Sequence, residues 1–286
     1  MEFRIRHWTH LGLGAALAAG SLAACSKPAQ PDAAPSSEVS APADTASAAA
    51  PATDTTEIAA GLASSGGEGE GGVAIEAAAT DPVIFNIALA VAEAHVRAAR
   101  DAFAAGQTET AGEMFAHPVS EVLFDMEPVF EARGVADFTD LFTSASAAAY
   151  SGESIEQIDI RTDVIIGALQ DAAKKAPDNG TDQAGIALGV ISDMIDRAVK
   201  MYRAASGSDL YEPYLDGYGF ARTAEATFMR SENLLGAEHA EATAAIREAI
   251  RQLDAAYPTA TRPDTLDADQ AALTVAASNV MLALNE

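Results

Sequence analysis

The sequence is poor in cysteine and in positive charge. Its 286 residues include one cysteine, Cys25, so no disulfide can form within the chain and stability must come from packing. Lysine and arginine total 17 against 42 aspartates and glutamates, a formal net charge of −25. We expect no nucleic acid partner, because phosphate binding depends on basic patches that are missing here. Such an acidic surface attracts metal cations or cationic partners, although it also simply keeps a protein soluble.

The sequence also lacks the motifs of common enzymes and metal centres. It contains no Gly-x-Ser-x-Gly nucleophile motif and no phosphate-binding glycine loop. The His-Glu-x-x-His motif and the Glu-x-x-His pair of ferritin-like di-iron proteins are absent as well. No serine or threonine is placed by its sequence neighbours for activation by a histidine. We therefore expect no enzymatic activity.

Residues 1–24 have the layout of a secretory signal peptide. Arg4 and Arg6 precede an uncharged stretch, residues 11–24, that is shorter than the roughly 20 apolar residues needed to span a bilayer. The stretch ends in Leu-Ala-Ala followed by Cys25, which resembles the lipobox of bacterial lipoproteins. In that family the cysteine is lipidated and becomes the first residue of the mature chain. The resemblance implies removal of residues 1–24 and a lipid anchor at Cys25.

An acylated Cys25 has consequences for location and chemistry. The only thiol of the chain would be consumed, which excludes cysteine chemistry and thiolate metal ligands as functions. Several acyl chains hold a protein firmly on a membrane, whereas one chain binds only marginally. Ser26 follows the cysteine, and in lipoproteins a non-acidic residue there accompanies sorting to the outer membrane. We expect a lipid-anchored envelope protein that faces the periplasm, with an outer-membrane receptor or transporter as a partner.

The remaining chain divides into a linker and a folded domain. Residues 25–80 are mostly Ala, Pro, Ser, Thr and Gly, and their small apolar surface predicts a disordered tether. Residues 81–286 show one set of helix signals after another and no convincing strand, which predicts an all-α domain built as a single helical bundle. Asp81 and Pro82 are suited to begin its first helix. Pro118 and Pro128 predict helix breaks further on.

Three histidines of the predicted domain are candidate functional residues. His95 lies four residues after Val91 on an apolar stripe, and His239 precedes a second stripe that includes Ala242 and Ile246. Both are therefore expected to point inward. A buried imidazole needs a hydrogen-bond partner or a metal, because burying it alone is costly.

The third histidine, His117, lies among carboxylates. Glu113 is four residues before it, Glu121 four after it and Asp125 eight after it, and such helical spacings place side chains on one face. Helical proteins build non-haem iron sites from imidazoles and carboxylates of several helices. The candidate metal ligands are His95, His117, Glu121, His239, Glu113 and Asp125. Iron is the first candidate, with zinc or haem as alternatives.

Two further interpretations remain open at this stage. The protein could be a haem or metal-chelate carrier in which a histidine is the axial ligand. It could also be an envelope interaction protein without any metal, whose histidines are hydrogen-bonded core residues. The tyrosines Tyr211, Tyr214 and Tyr218 lie on one stripe, for which packing is the expected role and phenolate ligation to ferric iron the alternative.

The segments around His95 and from Gly112 to Glu121 carry a family resemblance. They resemble a group of exported helical proteins of Gram-negative bacteria, and the chain as a whole resembles the imelysin and EfeO-type proteins of periplasmic iron uptake. Those proteins are exported and all-α, with His and Glu ligands on their helices. The resemblance implies metal binding at His95, His117 and Glu121. The chain departs from the Gly-x-His-x-x-Glu signature of imelysins, because its spacing from His117 to Glu121 is one residue longer.

Overall fold

The structure, a computed structural model, describes residues 72–285, and this part of the chain is helical without any strand. The α-helices are α1 (Ile75–Ala78), α2 (Pro82–Ala104), α3 (Thr108–Pro118), α4 (Phe124–Arg133), α5 (Thr139–Ser151), α6 (Ile155–Ala173), α7 (Gln183–Ser206), α8 (Glu212–Leu235), α9 (Ala240–Ala256) and α10 (Gln270–Ala283). A π-helix, Val119–Leu123, joins α3 to α4. The prediction of an all-α fold is confirmed.

The folded domain begins earlier than the sequence predicts. Residues 72–80 were expected to belong to the disordered tether, but α1 packs against α2 and α4, and Ala78 is fully buried. The guanidinium of Arg197 donates a hydrogen bond of 2.7 Å to the carbonyl oxygen of Gly72. Apolar side chains such as Val73 pack against the hydrophobic core. This burial offsets the conformational entropy that the short segment loses when it is ordered. The predicted signal peptide, Cys25 and the rest of the predicted tether lie outside the described residues.

Helix α2 forms the centre of the core. The Asp81 side chain accepts hydrogen bonds from the N–H groups of Val83 and Ile84, at 2.7 and 3.4 Å, and Pro82 lies in the first turn as expected. α2 is buried on most of its circumference because it contacts α1, α3, α6, α7, α8 and the π-helix. By length and composition α2 could cross a membrane, but 89% of its apolar window is buried in the fold, as in a central core helix.

One continuous helical segment, residues 108–133, runs through α3, the π-helix and α4. The predicted helix breaks at Pro118 and Pro128 are therefore wrong. A proline removes one backbone donor and crowds the preceding turn, but a π-helix provides a wider turn that can absorb this change. Buried apolar side chains along the segment also hold it against the core, and such packing supplies most of a helix's stability. The π-helix carries Glu121, one turn beyond His117.

Helix α8 packs closely against its neighbours at two glycines. A Cβ atom at Gly219 would clash with the carbonyl oxygen of Ala94, and one at Gly217 would clash with the hydroxyl of Tyr257. The missing side chain at Gly219 therefore lets α8 approach α2 at the residue before His95. This close approach brings the first turns of α8 next to the middle of α2.

Candidate metal centre

Several helices bring two histidines and three carboxylates together. His95 lies on α2, His117 near the end of α3 and Glu121 in the π-helix. The first turns of α8 contribute Glu212 and Asp216, which are four residues apart and so share one face of the helix. One potential ligand atom from each of His95, His117 and Asp216 lies within 4.8 Å of the other two.

His95 is the most buried imidazole of this group, with 2% of its side chain exposed. Its Nδ1 lies 2.9 Å from the carbonyl oxygen of Val91, which assigns the ring proton to Nδ1 and leaves Nε2 to face the centre. Nε2 lies 3.3 Å from Glu121 Oε2 and 3.7 Å from Asp216 Oδ1. Within residues 72–285 neither of these contacts nor any other has the geometry of a hydrogen bond to this buried Nε2. Metal-binding histidines are commonly oriented in this way by a carbonyl on the other ring nitrogen.

His117 continues the group towards the surface. Its Nδ1 lies 3.7 Å from Glu121 Oε1, and its Nε2 lies 4.0 Å from Glu212 Oε1. The rings of His95 and His117 have centroids 6.0 Å apart and are inclined at 69°. Side-chain exposure rises from 2% at Asp216 to 26% at His117 and 55% at Glu212. The centre is therefore closed on the side of α2 and open to solvent on the side of Glu212.

The charges of the centre are coupled. Burial opposes a positive charge on His95, but Glu121 and Asp216 outweigh burial and raise the pKa of this imidazole above its ordinary value. The contact with His95 is the main reason why the pKa of Glu121 is lowered, with a smaller contribution from His117. Each shift favours the charged form of the group concerned. A metal cation at this position would compete with a proton for His95 Nε2.

The contact distances suit atoms that could share a metal. A hydrogen bond between nitrogen and oxygen spans about 2.7–3.2 Å, and the four histidine–carboxylate contacts of 3.3, 3.7, 3.7 and 4.0 Å are all longer. Two ligand atoms held by one metal at bond lengths of about 2.1 Å are separated by about 3.0–3.4 Å. The two contacts of His95 Nε2, at 3.3 and 3.7 Å, are already within a few tenths of an ångström of this separation, whereas His117, whose ligand atom lies within 4.8 Å of those of His95 and Asp216, would have to move further to join them.

The structure brings together three of the six predicted ligands. His95, His117 and Glu121 meet, as the sequence predicts. His239 does not, because the turn after Gly236 delays α9 until Ala240 and leaves this histidine half-buried at the helix start. His239 also lies beyond the far end of α8 from Asp216, and the intervening helix is about 28 Å long at 1.5 Å per residue.

The two other carboxylates predicted as ligands are exposed. Glu113 lies on the solvent side of α3. His117, one turn further along the same helix, lies at the edge of the buried face. Asp125 follows the π-helix, which changes the angular spacing along the segment, so a separation of eight residues no longer places it beside His117. Within residues 72–285 the group of ligand atoms formed by His95, His117 and Asp216 does not include Glu113, Asp125 or His239, and their roles as ligands stay predictions.

Asp216 and Glu212 were missed in the sequence. Asp216 is the only charged residue between Tyr214 and Ala221, a run that is otherwise apolar or glycine, and a lone carboxylate in such a run is a signal of a buried functional group. Its proximity to His95 depends on the packing of α8 against α2, which no local spacing reveals. Glu212 precedes Pro213 at the exposed start of α8 and carries no comparable signal.

The nearby tyrosines serve packing, as predicted. The hydroxyls of Tyr211 and Tyr214 donate hydrogen bonds to the backbone carbonyls of residues 259–260, at 2.6 and 2.8 Å. Burial raises the pKa of both tyrosines to about 12, so they remain neutral. Tyr218 donates to Asp101 Oδ2 at 2.7 Å. These hydroxyls are committed to structural hydrogen bonds and are not aimed at the histidines.

Comparison of the chain with known protein families, curated proteins and solved structures finds no match. The lipoprotein resemblance at Cys25 and the resemblance to imelysin and EfeO-type proteins therefore stay predictions.

Proposed function

We propose that this protein binds a metal ion through His95, His117 and Asp216, with Glu121 as a further ligand. The observation that carries the proposal is the convergence of ligand atoms from three helices within 4.8 Å. Two imidazoles with one carboxylate form the ligand set of many non-haem Fe(II) centres, and the same donors also suit Zn(II). Iron is the first candidate and zinc the alternative.

The surroundings of His95 support a bare ion over a haem. An axial histidine must present Nε2 to the face of a porphyrin. Here Glu121 and Asp216 lie within 3.7 Å of that nitrogen, where the porphyrin would have to be. Carboxylates in this position neutralise a cation, and the net charge of −25 favours its approach.

The exposure of the centre suggests a role in holding and passing on the ion. His117 and Glu121 are each about one-quarter exposed, so an ion bound there could exchange with solvent or with a partner. Together with the predicted lipid anchor at Cys25, this leads us to propose a role in metal uptake or delivery in the cell envelope, with an outer-membrane receptor or transporter as the partner. A metal-free interaction protein is the competing hypothesis.

A titration of the metal-free protein tests the proposal. Protein without an affinity tag would be stripped with chelator and titrated calorimetrically with Zn(II), and with Fe(II) under anaerobic conditions. We expect a dissociation constant of about 1 μM or tighter. His95→Ala and Asp216→Asn should each weaken binding about 100-fold or more, since loss of an outer-shell residue alone can cost 10–100-fold.

The chain provides matched controls for this titration. His239→Ala removes a histidine outside the centre, and Glu113→Gln removes an exposed charge one turn before His117. Both variants should bind metal as the wild type does. Binding weaker than micromolar, or equal losses in His95→Ala and His239→Ala, would contradict the proposal and favour the metal-free hypothesis.

A further inference from the structure

The two ring nitrogens of His117 face carboxylates from different elements. Nδ1 lies 3.7 Å from Oε1 of Glu121, in the π-helix, and Nε2 lies 4.0 Å from Oε1 of Glu212, in the first turn of α8. The other oxygen of Glu121, Oε2, lies 3.3 Å from His95 Nε2. Nδ1 of His117 is therefore the nitrogen that adjoins the carboxylate shared with His95.

The carboxylate at the other nitrogen is the more exposed one. Glu212 is 55% exposed, whereas Glu121 is 28% exposed. Asp216, one turn further along α8, is 2% exposed and lies 3.7 Å from His95 Nε2. Helix α8 thus brings one carboxylate to the buried imidazole and another to the solvent side of the imidazole at the surface.

His95 shows how the fold can hold one ring nitrogen of a ligand. Its Nδ1 lies 2.9 Å from the carbonyl oxygen of Val91, and its Nε2 faces Glu121 and Asp216. Metal-binding histidines donate their second ring N–H to a carbonyl or a carboxylate, which fixes the ring orientation and the position of its proton and strengthens the ligand. At His117 the group placed for this role is the carboxylate of Glu212.

We propose that Glu212 is a positioning residue of the metal centre, which accepts the Nε2–H of His117 and thereby directs Nδ1 of that ring to the ion. The ligand atoms are then His95 Nε2, His117 Nδ1 and carboxylate oxygens of Asp216 and Glu121. Glu212 itself does not touch the ion. This inference rests on the proposed metal-binding function and deepens it by assigning the nitrogen that His117 uses.

The contact between His117 and Glu212 has to shorten when the ion binds. At 4.0 Å it is longer than a hydrogen bond of about 2.7–3.2 Å. A side chain that is more than half exposed, as Glu212 is, can follow the ring without disturbing the core. A bound cation also makes the ring N–H a stronger donor, and a carboxylate is the acceptor that gains most from such a donor.

The nitrogen that each histidine uses can be read by nuclear magnetic resonance. Zn(II)-loaded, tag-free protein with 15N-labelled histidine would be measured by long-range proton–nitrogen correlation, which distinguishes Nδ1 from Nε2 and a protonated nitrogen from a metal-bound one. We expect two metal-bound histidines, one bound through Nε2, as at His95, and one through Nδ1, as at His117. Two histidines bound through Nε2 would overturn the inference and leave metal binding intact.

Two variants of Glu212 test its role separately. Glu212→Ala removes the acceptor and should weaken Zn(II) binding about tenfold, the lower end for an outer-shell partner, because this side chain is half exposed. Glu212→Gln keeps an acceptor oxygen and should bind Zn(II) within about threefold of wild type. Glu241→Ala is the control, since it removes the matching acidic residue in the first turn of α9 and should leave the affinity unchanged.

The possible failures are distinguishable. Equal losses in Glu212→Ala and Glu212→Gln would indicate a ligand or a general effect of charge, and an equal loss in Glu241→Ala would indicate charge alone; each contradicts the positioning role. Unchanged affinity in Glu212→Ala, with binding lost in His95→Ala, would overturn the inference and leave the proposed function intact. No tight binding of Zn(II) by the wild type would overturn the function on which the inference rests.

Discussion

Helix α2 carries two buried clusters, one around Glu93 and one around His95, and their contacts differ. Glu93, 5% exposed, is bound by two arginines. Arg97 donates to its Oε1 at 2.9 and 2.7 Å, and Arg230 donates to its two oxygens at 2.9 and 3.2 Å. In the cluster around His95, four histidine–carboxylate contacts among the described residues span 3.3 to 4.0 Å.

The difference separates a structural ion pair from the site at which we propose that a metal binds. A guanidinium is always charged and matches a carboxylate with short hydrogen bonds, so Glu93 is fully occupied and joins α2 to α8 through Arg230. An imidazole can lose its proton near neutral pH and then offers a lone pair to a metal. Among the described residues, the ion-pair contacts of Glu121 are with the two imidazoles, at 3.3 and 3.7 Å. The same helix therefore carries one cluster suited to stability and one suited to binding.

The largest effect should come from breaking the arginine cluster. Glu93→Ala leaves two guanidiniums without their carboxylate, and we expect a loss of about 3 kcal/mol in the free energy of unfolding, the lower end for buried pairs, because both arginines reach solvent. Urea denaturation measures this loss, and metal affinity of the folded variant should stay unchanged. The exposed pair of Lys174 and Asp171 is the control, since Asp171→Asn should cost less than about 1 kcal/mol. An equal loss in both variants would contradict the structural role of Glu93.

A somewhat smaller effect should follow from separating α8 and α2. Gly219→Ala places a Cβ against the backbone oxygen of Ala94, so we expect a loss of about 1–3 kcal/mol in stability. Because α8 carries Asp216, the same change should weaken metal binding without removing a ligand. Gly167→Ala on α6 is the control: a Cβ there meets nothing within 4 Å, and the helix should gain up to about 1 kcal/mol. Unchanged metal affinity in Gly219→Ala would mean that the α2–α8 spacing does not set the centre.

The smallest effect concerns the stability of the metal-free protein as pH changes. The pKa of His95 is raised above its ordinary 6.5, so its contribution is fully present below about pH 6.5 and is lost as pH rises through the folded pKa. The pKa of Glu121 is lowered from 4.5, so its contribution is present above that pH and is lost on acidification. Urea denaturation should therefore show the pair's contribution at pH 5–6 and a decline as the pH is raised above 6.5. His95→Gln should remove the decline; an equal decline in that variant would assign it to other groups.

Local features of the sequence were sufficient to predict most helices and three of the five residues of the centre, His95, His117 and Glu121. Asp81 and Pro82 begin α2 through short-range capping. His117 and Glu121 lie on the same face, as predicted, because four residues make about one turn in an α-helix and in a π-helix alike. The π-helix was not predictable, since tertiary packing outweighed the local cost of Pro118. Asp216 was not predictable either, because it meets His95 only through the contact of α8 with α2.

The position of a bound ion tests the central claim most directly. Crystals grown from metal-free protein and soaked with Zn(II) would be measured at the zinc absorption edge, and an anomalous difference map would locate the ion. We predict a peak at bonding distance from His95 Nε2 and Glu121. Peaks confined to exposed carboxylates or to His239, with none at His95, would contradict it.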